Sequence, residues 1–215
     1  MTGPARGTPQ LVLALPGPGR WLIQNSPANR VPSHGTSSFA LDHAIDLVPV
    51  DARGRTAPIT AAALLRPQAP EAFPGFGRAL LAPVRGIVHA VHDGEQDHPA
   101  HRGIPSLGYA LTQGRRVADG WEGLAGNHLI LRSPGPGGQE LFVALCHLRR
   151  GSLRVRPGQE LGSGDPVAEC GNSGNSTEPH LHLQVMDAAD PARARAVPFT
   201  FPGGLPRNGA ILDAG

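Results

Sequence analysis

The chain has 215 residues, and its 19 basic and 17 acidic side chains leave a formal charge of only +2. Every basic residue is Arg and none of the runs interleaves with aromatic residues, so no nucleic-acid partner is expected. The early apolar run, Leu11 to Leu15, is too short for a secretory core or a membrane span; the sequence as read predicts no export signal, and hence a cytoplasmic protein or export by another route. The 29 Gly and 23 Pro, with few helical runs, predict a mostly β, antiparallel, loop-rich single domain. Residues 1–10 have the composition of a disordered tail, and residues 11–215 form the domain, long enough to bury a core.

Leu11 to Ile23 supplies a first strand and a turn at Pro16 to Gly19, with Trp21 as an anchor. Ala44 to Val50 reads as a buried strand. Asp46 is a lone carboxylate among Ala44, Ile45, Leu47 and Val48, and burial of such a group is costly unless it is hydrogen-bonded, paired or holds a metal. Two histidines precede it. His43 is three residues away, and residues three apart on a strand face opposite sides. His34 is twelve residues away, across a loop, Gly35 to Leu41, that can fold back.

Asp51 to Arg78 is an Ala- and Pro-rich insertion with a short helix predicted over Ile59 to Leu65, ended by Pro67. Ala79 to Gly94 predicts a hairpin: Leu80 to Pro83, a bend at Arg85–Gly86, then Ile87 to Val91, with His89 and His92 on its surface. Glu95 to Ala125 is a long polar connection carrying His98, His101, Tyr109 and Trp121. Connections of that length inside a domain tend to be functional, but no supporting carboxylate geometry is readable around His98 and His101, and a solvated loop is expected. Gly126 to Arg132 and Glu140 to Leu148 pair as a hairpin that brings in His147. Ser152 to Cys170 repeats Gly turns between short strands. Two cysteines, Cys146 and Cys170, are too few for a disulfide framework and read as reduced core thiols. The tail beyond Val185 reads as an extended segment covering a sheet edge.

Gly171 to Val185, GNSGNSTEPHLHLQV, is the most informative stretch. Turn-forming residues and Pro179 lead into strict alternation over His180 to Val185, the pattern of a strand. His180 and His182 then share one face while Leu181, Leu183 and Val185 enter a core. Paired imidazoles on a strand face suit metal binding or proton transfer; the plainer alternative is a polar face with two unrelated histidines.

Gly171, Asn172, Ser173, Gly174, Ser176, Pro179, His180, Leu181 and His182 together resemble the signature strand of the lysostaphin-type (LytM-like) zinc metallopeptidases. The resemblance implies a LytM-like β domain of the duplicated hybrid-motif type, with a groove, and zinc as cofactor. It implies that His182 is a zinc ligand and that His180 works beside the metal as a catalytic residue. The family's usual His, three residues, then Asp is absent, because Asp42 stands four residues before Asp46. Ser33-His34 and Ala44-Ile45-Asp46 instead resemble a variant layout, with His43 at its aromatic position. That layout implies His34 and Asp46 as the other two zinc ligands, with His43 the rival to His34. The segment ending at His147 resembles the family strand whose histidine faces the metal's water, which implies a second catalytic residue.

Three protein ligands leave a fourth position for water, whose pKa the metal lowers. His147 and His180 would take its proton and steady the oxyanion. The implied reaction is hydrolysis of peptide bonds, with peptidoglycan cross-bridges as the family's usual partner. The loops Asp51 to Arg78 and Glu95 to Ala125 are expected to wall the groove. Two other readings stand beside this one: a regulatory or binding module of the same fold that does not cleave, and a phosphocarrier-like domain, which would leave Asp46 without a role. Zinc content separates them.

Overall fold

Short apolar segments between Gly and Pro turns pair into one large sheet and two small ones. The computed structural model describes residues 10–57, 65–101 and 120–215. The tail expected at residues 1–10 (apart from Gln10), the helix expected at Ile59 to Leu65 (apart from Leu65) and Tyr109 lie outside them. The strands are β1 (Leu11–Val12), β2 (Arg20–Gln24), β3 (Ile45–Pro49), β4 (Ala79–Leu81), β5 (Gly86–His92), β6 (His128–Pro134), β7 (Glu140–Cys146), β8 (Glu160–Leu161), β9 (Pro166–Glu169), β10 (Leu181–Met186), β11 (Phe199–Thr200) and β12 (Ile211–Asp213). Apart from Leu65, helical structure among the described residues comprises α1 (Gly120–Ala125) and 3-10 turns at Ser38–His43 and Pro70–Ala72. The fold is mostly β and antiparallel, as the composition predicts.

The large sheet runs β12-β2-β3-β10-β7-β6-β5-β8, so β10 lies between β3 and β7. Leu181, Leu183 and Val185 enter the main core with Ile45, Leu47, Val143 and Leu145. Burying each such side chain stabilises by about 1.5–3 kcal/mol. This fixes the register, because a slip of one residue would drive His182 and Gln184 into that core. The opposite face is not the open polar surface that alternation suggests. Cys146, Ala144, Ile130 and Met186 form a second buried cluster there, with Ala40, Ala125 and Phe142, and Trp121 packs against it.

The hairpin expected over Ala79 to Gly94 does not form. β4 pairs with β9, whereas β5 pairs with β6 and β8. Pro83 has no N–H to offer a ladder, and the chain leaves one sheet there to enter the other. Gly86 then lies so close to β6 that a Cβ would come within 2.5 Å of the Arg132 carbonyl oxygen, so only glycine allows this approach. The chain also changes sheets between β8 and β9, and β10 follows β9 without pairing with it. The tail does cover an edge: β12 pairs with β2 at the end of the large sheet, and β11 runs parallel to β1. Trp21 is fully buried and donates its indole N–H to the Gly17 carbonyl at 3.0 Å.

Candidate metal centre

Strand register assembles the site. Gln24 stands opposite Asp46, Asp46 opposite His182, and His182 opposite Cys146, a row whose directly opposed side chains share one face. The chain then bends at each end of that row. Asn25 follows Gln24 with φ 48°, and His147 follows Cys146 with φ 62°. Among the described residues the remaining non-glycines with positive φ are Phe39 and Ala40, beside the same face. Left-handed backbone in such residues is unfavourable and collects at functional sites.

Asp46 is buried, with 5% of its surface exposed. Its partners are side chains rather than backbone groups. Asn25 Nδ2–H donates to Oδ2 at 2.6 Å. His34 Nε2 lies 3.2 Å from each oxygen, His182 Nδ1 3.0 Å from Oδ1, and His180 Nε2 3.7 Å from Oδ1. Burial alone would raise this carboxyl; the charge that His34 and His180 carry when doubly protonated, with hydrogen bonds from His182 and His34, more than offsets it and holds it well below the ordinary carboxylate range.

The far nitrogens of the four imidazoles decide what the near ones offer. A carbonyl oxygen can only accept, so the ring nitrogen facing it carries the proton. His147 Nδ1–H donates to Ser173 O at 2.9 Å, and His180 Nδ1–H to Glu178 O at 2.8 Å. Ser33 Oγ reaches Ala44 O at 2.7 Å and Leu41 O at 3.0 Å. Its one hydrogen goes to a carbonyl, so it accepts from His34 Nδ1–H at 3.0 Å. Gln184 Nε2–H donates to Phe39 O at 2.9 Å, which turns its oxygen to accept from His182 Nε2–H, also at 2.9 Å. Neutral rings held in this way leave Nε2 of His34, His147 and His180, and Nδ1 of His182, with bare lone pairs.

Lone pairs at 3.0–3.2 Å from a carboxylate repel it unless a cation lies among them or a ring takes a second proton. The nearest ligand atoms of His34, Asp46 and His182 all lie within 4.8 Å of one another. A tetrahedral ion with ~2.1 Å bonds spaces its ligands by roughly 3.4 Å, close to the His34–Asp46 and Asp46–His182 separations. Two imidazoles and a carboxylate, with further histidines beside them, are the donor set of a zinc centre, and the group fits.

His147 and His180 adjoin this group, with ring centroids 4.7 Å apart; His147 is 5.9 Å from His182. Burial, and then repulsion from His180 and His182, keep the His147 imidazolium well below the usual histidine range. The ring is therefore neutral at neutral pH. Cys146 shares the row, but burial and the neighbouring Asp46 push its thiol up, which argues against a thiolate ligand. His43 ends the 3-10 turn Ser38–His43 and is not in the His34–Asp46–His182 group. His128 is a separate case. Trp121 Nε1–H donates to its Nε2 at 3.1 Å, and its Nδ1–H donates to Gly126 O at 2.8 Å, so both nitrogens are engaged.

The Gly-rich turn before β10 is shaped by close approach. A Cβ on Gly174, where φ is +67°, would meet Gly126 N at 2.4 Å, and one on Gly171 would meet Arg149 Cα at 2.4 Å. The described parts of both long loops lie against this turn. Asp97 Oδ1 accepts from Asn172 N at 2.7 Å, and His101 N–H donates to Thr177 O at 2.8 Å. Gln68 bridges to Ala100, and Gly75 lies against Pro179. Sequence reading missed Asn25 and Gln184. Asn25 sits in a turn-like NSP run, and Gln184 occupies an alternate strand position where a polar residue reads as solvent-facing.

Residues 97–194 match the family described as Peptidase family M23, a stretch that contains His147, His180 and His182 but not His34 or Asp46. This match supports a peptidase role. Among solved structures the chain is similar to the catalytic domain of the antimicrobial peptidase lysostaphin from Staphylococcus simulans: 13% identity, 88% of this chain, 86% of that one, TM-score 0.40. It is also similar to Helicobacter pylori Csd3 (13% identity, 96% of this chain, 37% of that one, TM-score 0.40) and to a zinc-containing peptidase from Vibrio cholerae (16% identity, 71%, 48%, TM-score 0.35). The chain spans less than half the length of the last two.

Proposed function

We propose, for a chain whose residues 97–194 match peptidase family M23, that residues 11–215 act as one zinc-dependent endopeptidase domain that hydrolyses peptide bonds, with peptidoglycan cross-bridge peptides as substrate. The observation that carries this is the convergence of His34 Nε2, His182 Nδ1 and His180 Nε2 on the buried Asp46 carboxylate. His34 Nε2, Asp46 and His182 Nδ1 would hold the zinc. When bound, zinc lowers the pKa of a water and polarises a carbonyl. Asn25 keeps one oxygen of Asp46 occupied and aims the other. His147 and His180 each bond a carbonyl through Nδ1–H, which turns Nε2 away from that carbonyl and into the site. One takes the proton released as water adds to the peptide carbonyl and returns it to the leaving amine. The imidazolium formed meanwhile steadies the oxyanion.

The test is metal analysis of purified protein before and after chelation, beside cleavage of synthetic cross-bridge peptides followed by mass spectrometry. One zinc per chain and chelator-sensitive cleavage are expected. Zinc without cleavage would favour a binding or regulatory module, and no zinc at all would overturn the centre.

A further inference from the structure

Gln184 is fully buried on the same strand face as His182, and a buried primary amide is unfavourable unless both ends are satisfied. Both ends are. Its nitrogen donates to Phe39 O and its oxygen accepts from His182 Nε2–H, each at 2.9 Å. The Phe39 carbonyl is itself held in an unusual way, because Phe39 and Ala40 are consecutive left-handed residues at φ 55° and 59°. Two such residues in a row are unfavourable for L-amino acids. The geometry that results points a carbonyl at the one end of Gln184 that must be a donor.

We infer that Gln184 is a positioning residue: braced by the left-handed Phe39–Ala40 turn, it fixes His182 as the Nε2–H tautomer, so that the Nδ1 lone pair faces Asp46. Without a fixed acceptor at Nε2, His182 can place its proton on Nδ1 instead and donate it to Asp46 Oδ1, 3.0 Å away. That tautomer has no lone pair for a cation. The Phe39 carbonyl matters because it forbids the flipped amide, whose NH2 would face Nε2 and select the wrong tautomer. The inference rests on the reading of His182 as a zinc ligand, but its readouts do not depend on hydrolysis.

Two measurements test it. The first is the 15N shift pattern of His182 in zinc-free wild-type protein, recorded about two units above the ordinary histidine pKa of ~6.5. A protonated Nε2 and bare Nδ1 are expected; the reverse overturns the inference with no substitution made. The second is zinc affinity by chelator competition for Gln184→Met and Gln184→Glu. Met keeps the volume and removes the acceptor, so affinity should fall about 10- to 100-fold. Glu retains an oxygen toward Nε2–H, and as the acid it also donates to Phe39 O, so it should restore most of the loss. Wild-type affinity in Gln184→Met, or equal loss in both variants, overturns it. Wild-type protein that binds zinc but cleaves nothing sinks the peptidase reading and leaves this one standing. If the wild type binds no zinc, the tautomer measurement still decides.

Discussion

Asn25 donates to Asp46 Oδ2 at 2.6 Å from the first residue past β2, in a left-handed conformation that asparagine tolerates better than most residues. The bond engages Oδ2, while His182 faces Oδ1 and His34 lies equally near both oxygens. Asn25→Gly keeps the backbone easy and deletes only the amide. Zinc affinity by chelator competition should fall by about tenfold or more, and the zinc-free protein should lose about 1–3 kcal/mol in denaturant titration, the range for a buried bond to a charged group. Unchanged affinity in Asn25→Gly would mean that the carboxylate is aimed by the histidines alone.

How much of this was legible in the sequence depends on the distance over which each feature is decided. β10 was readable because alternation and the turn before it are local, and Asp46 stood out as a charge in an apolar run. The split of β4 and β5 into different sheets was not readable. Pro83 and Gly86 mark a break in either arrangement, and only the approach to Arg132 and the pairing with β9 decide between them. The buried second face was also hidden, because Gln184 and His182 look like solvent-facing residues until Ala40, Trp121 and Phe142 cover that side. Asn25 and Gln184 act on Asp46 and His182 through geometry that sets backbone φ and amide orientation, and neither has a spacing signature.

His128 gives a pH prediction. Burial, then the neighbouring His92, lower its pKa, with the Gly126 carbonyl and Glu122 opposing. Below ~6.5 the unfolded chain takes up a proton at this residue that the folded chain refuses, so stability falls as pH falls. His147, lowered for the same first reason, adds a term of the same sign. Each group contributes a slope of at most about 1.4 kcal/mol per pH unit, and none above that window. Denaturant titrations of zinc-free protein between about pH 7.5 and 5 should show the decline, and His128→Gln should make it shallower without removing it. Superimposable curves for the two proteins would count against a buried neutral His128.

His147 and His180 should separate binding from turnover. Both lie beside the His34–Asp46–His182 group, and each is oriented by a carbonyl at its Nδ1. If they move protons and do not hold the metal, His147→Ala and His180→Ala keep one zinc per chain while kcat on a cleaved peptide falls by about 10²–10⁴. His182→Ala, by contrast, should lose stoichiometric zinc and the thermal stabilisation that zinc gives the wild type. Zinc lost in His180→Ala but kept in His182→Ala would reverse the two roles on this strand.

The first ligand carries the most risk, because His34 lies outside the stretch that matches the peptidase family. Twelve residues separate it from Asp46, yet Ser33 ties the two ends of that loop together. Ser33 N–H donates to Asp42 O at 2.9 Å, and Ser33 Oγ reaches Leu41 O and Ala44 O. The same hydroxyl accepts His34 Nδ1–H, so one residue closes the loop and sets the ring that faces Asp46. His43, only three residues from Asp46, ends the 3-10 turn and stands outside the group. His34→Ala should therefore lower zinc occupancy and affinity by at least about tenfold, and His43→Ala should leave both unchanged. Ser33→Ala frees the ring and opens the loop, so its affinity should fall between the two. Full occupancy in His34→Ala with loss in His43→Ala would show that the nearer histidine completes the centre.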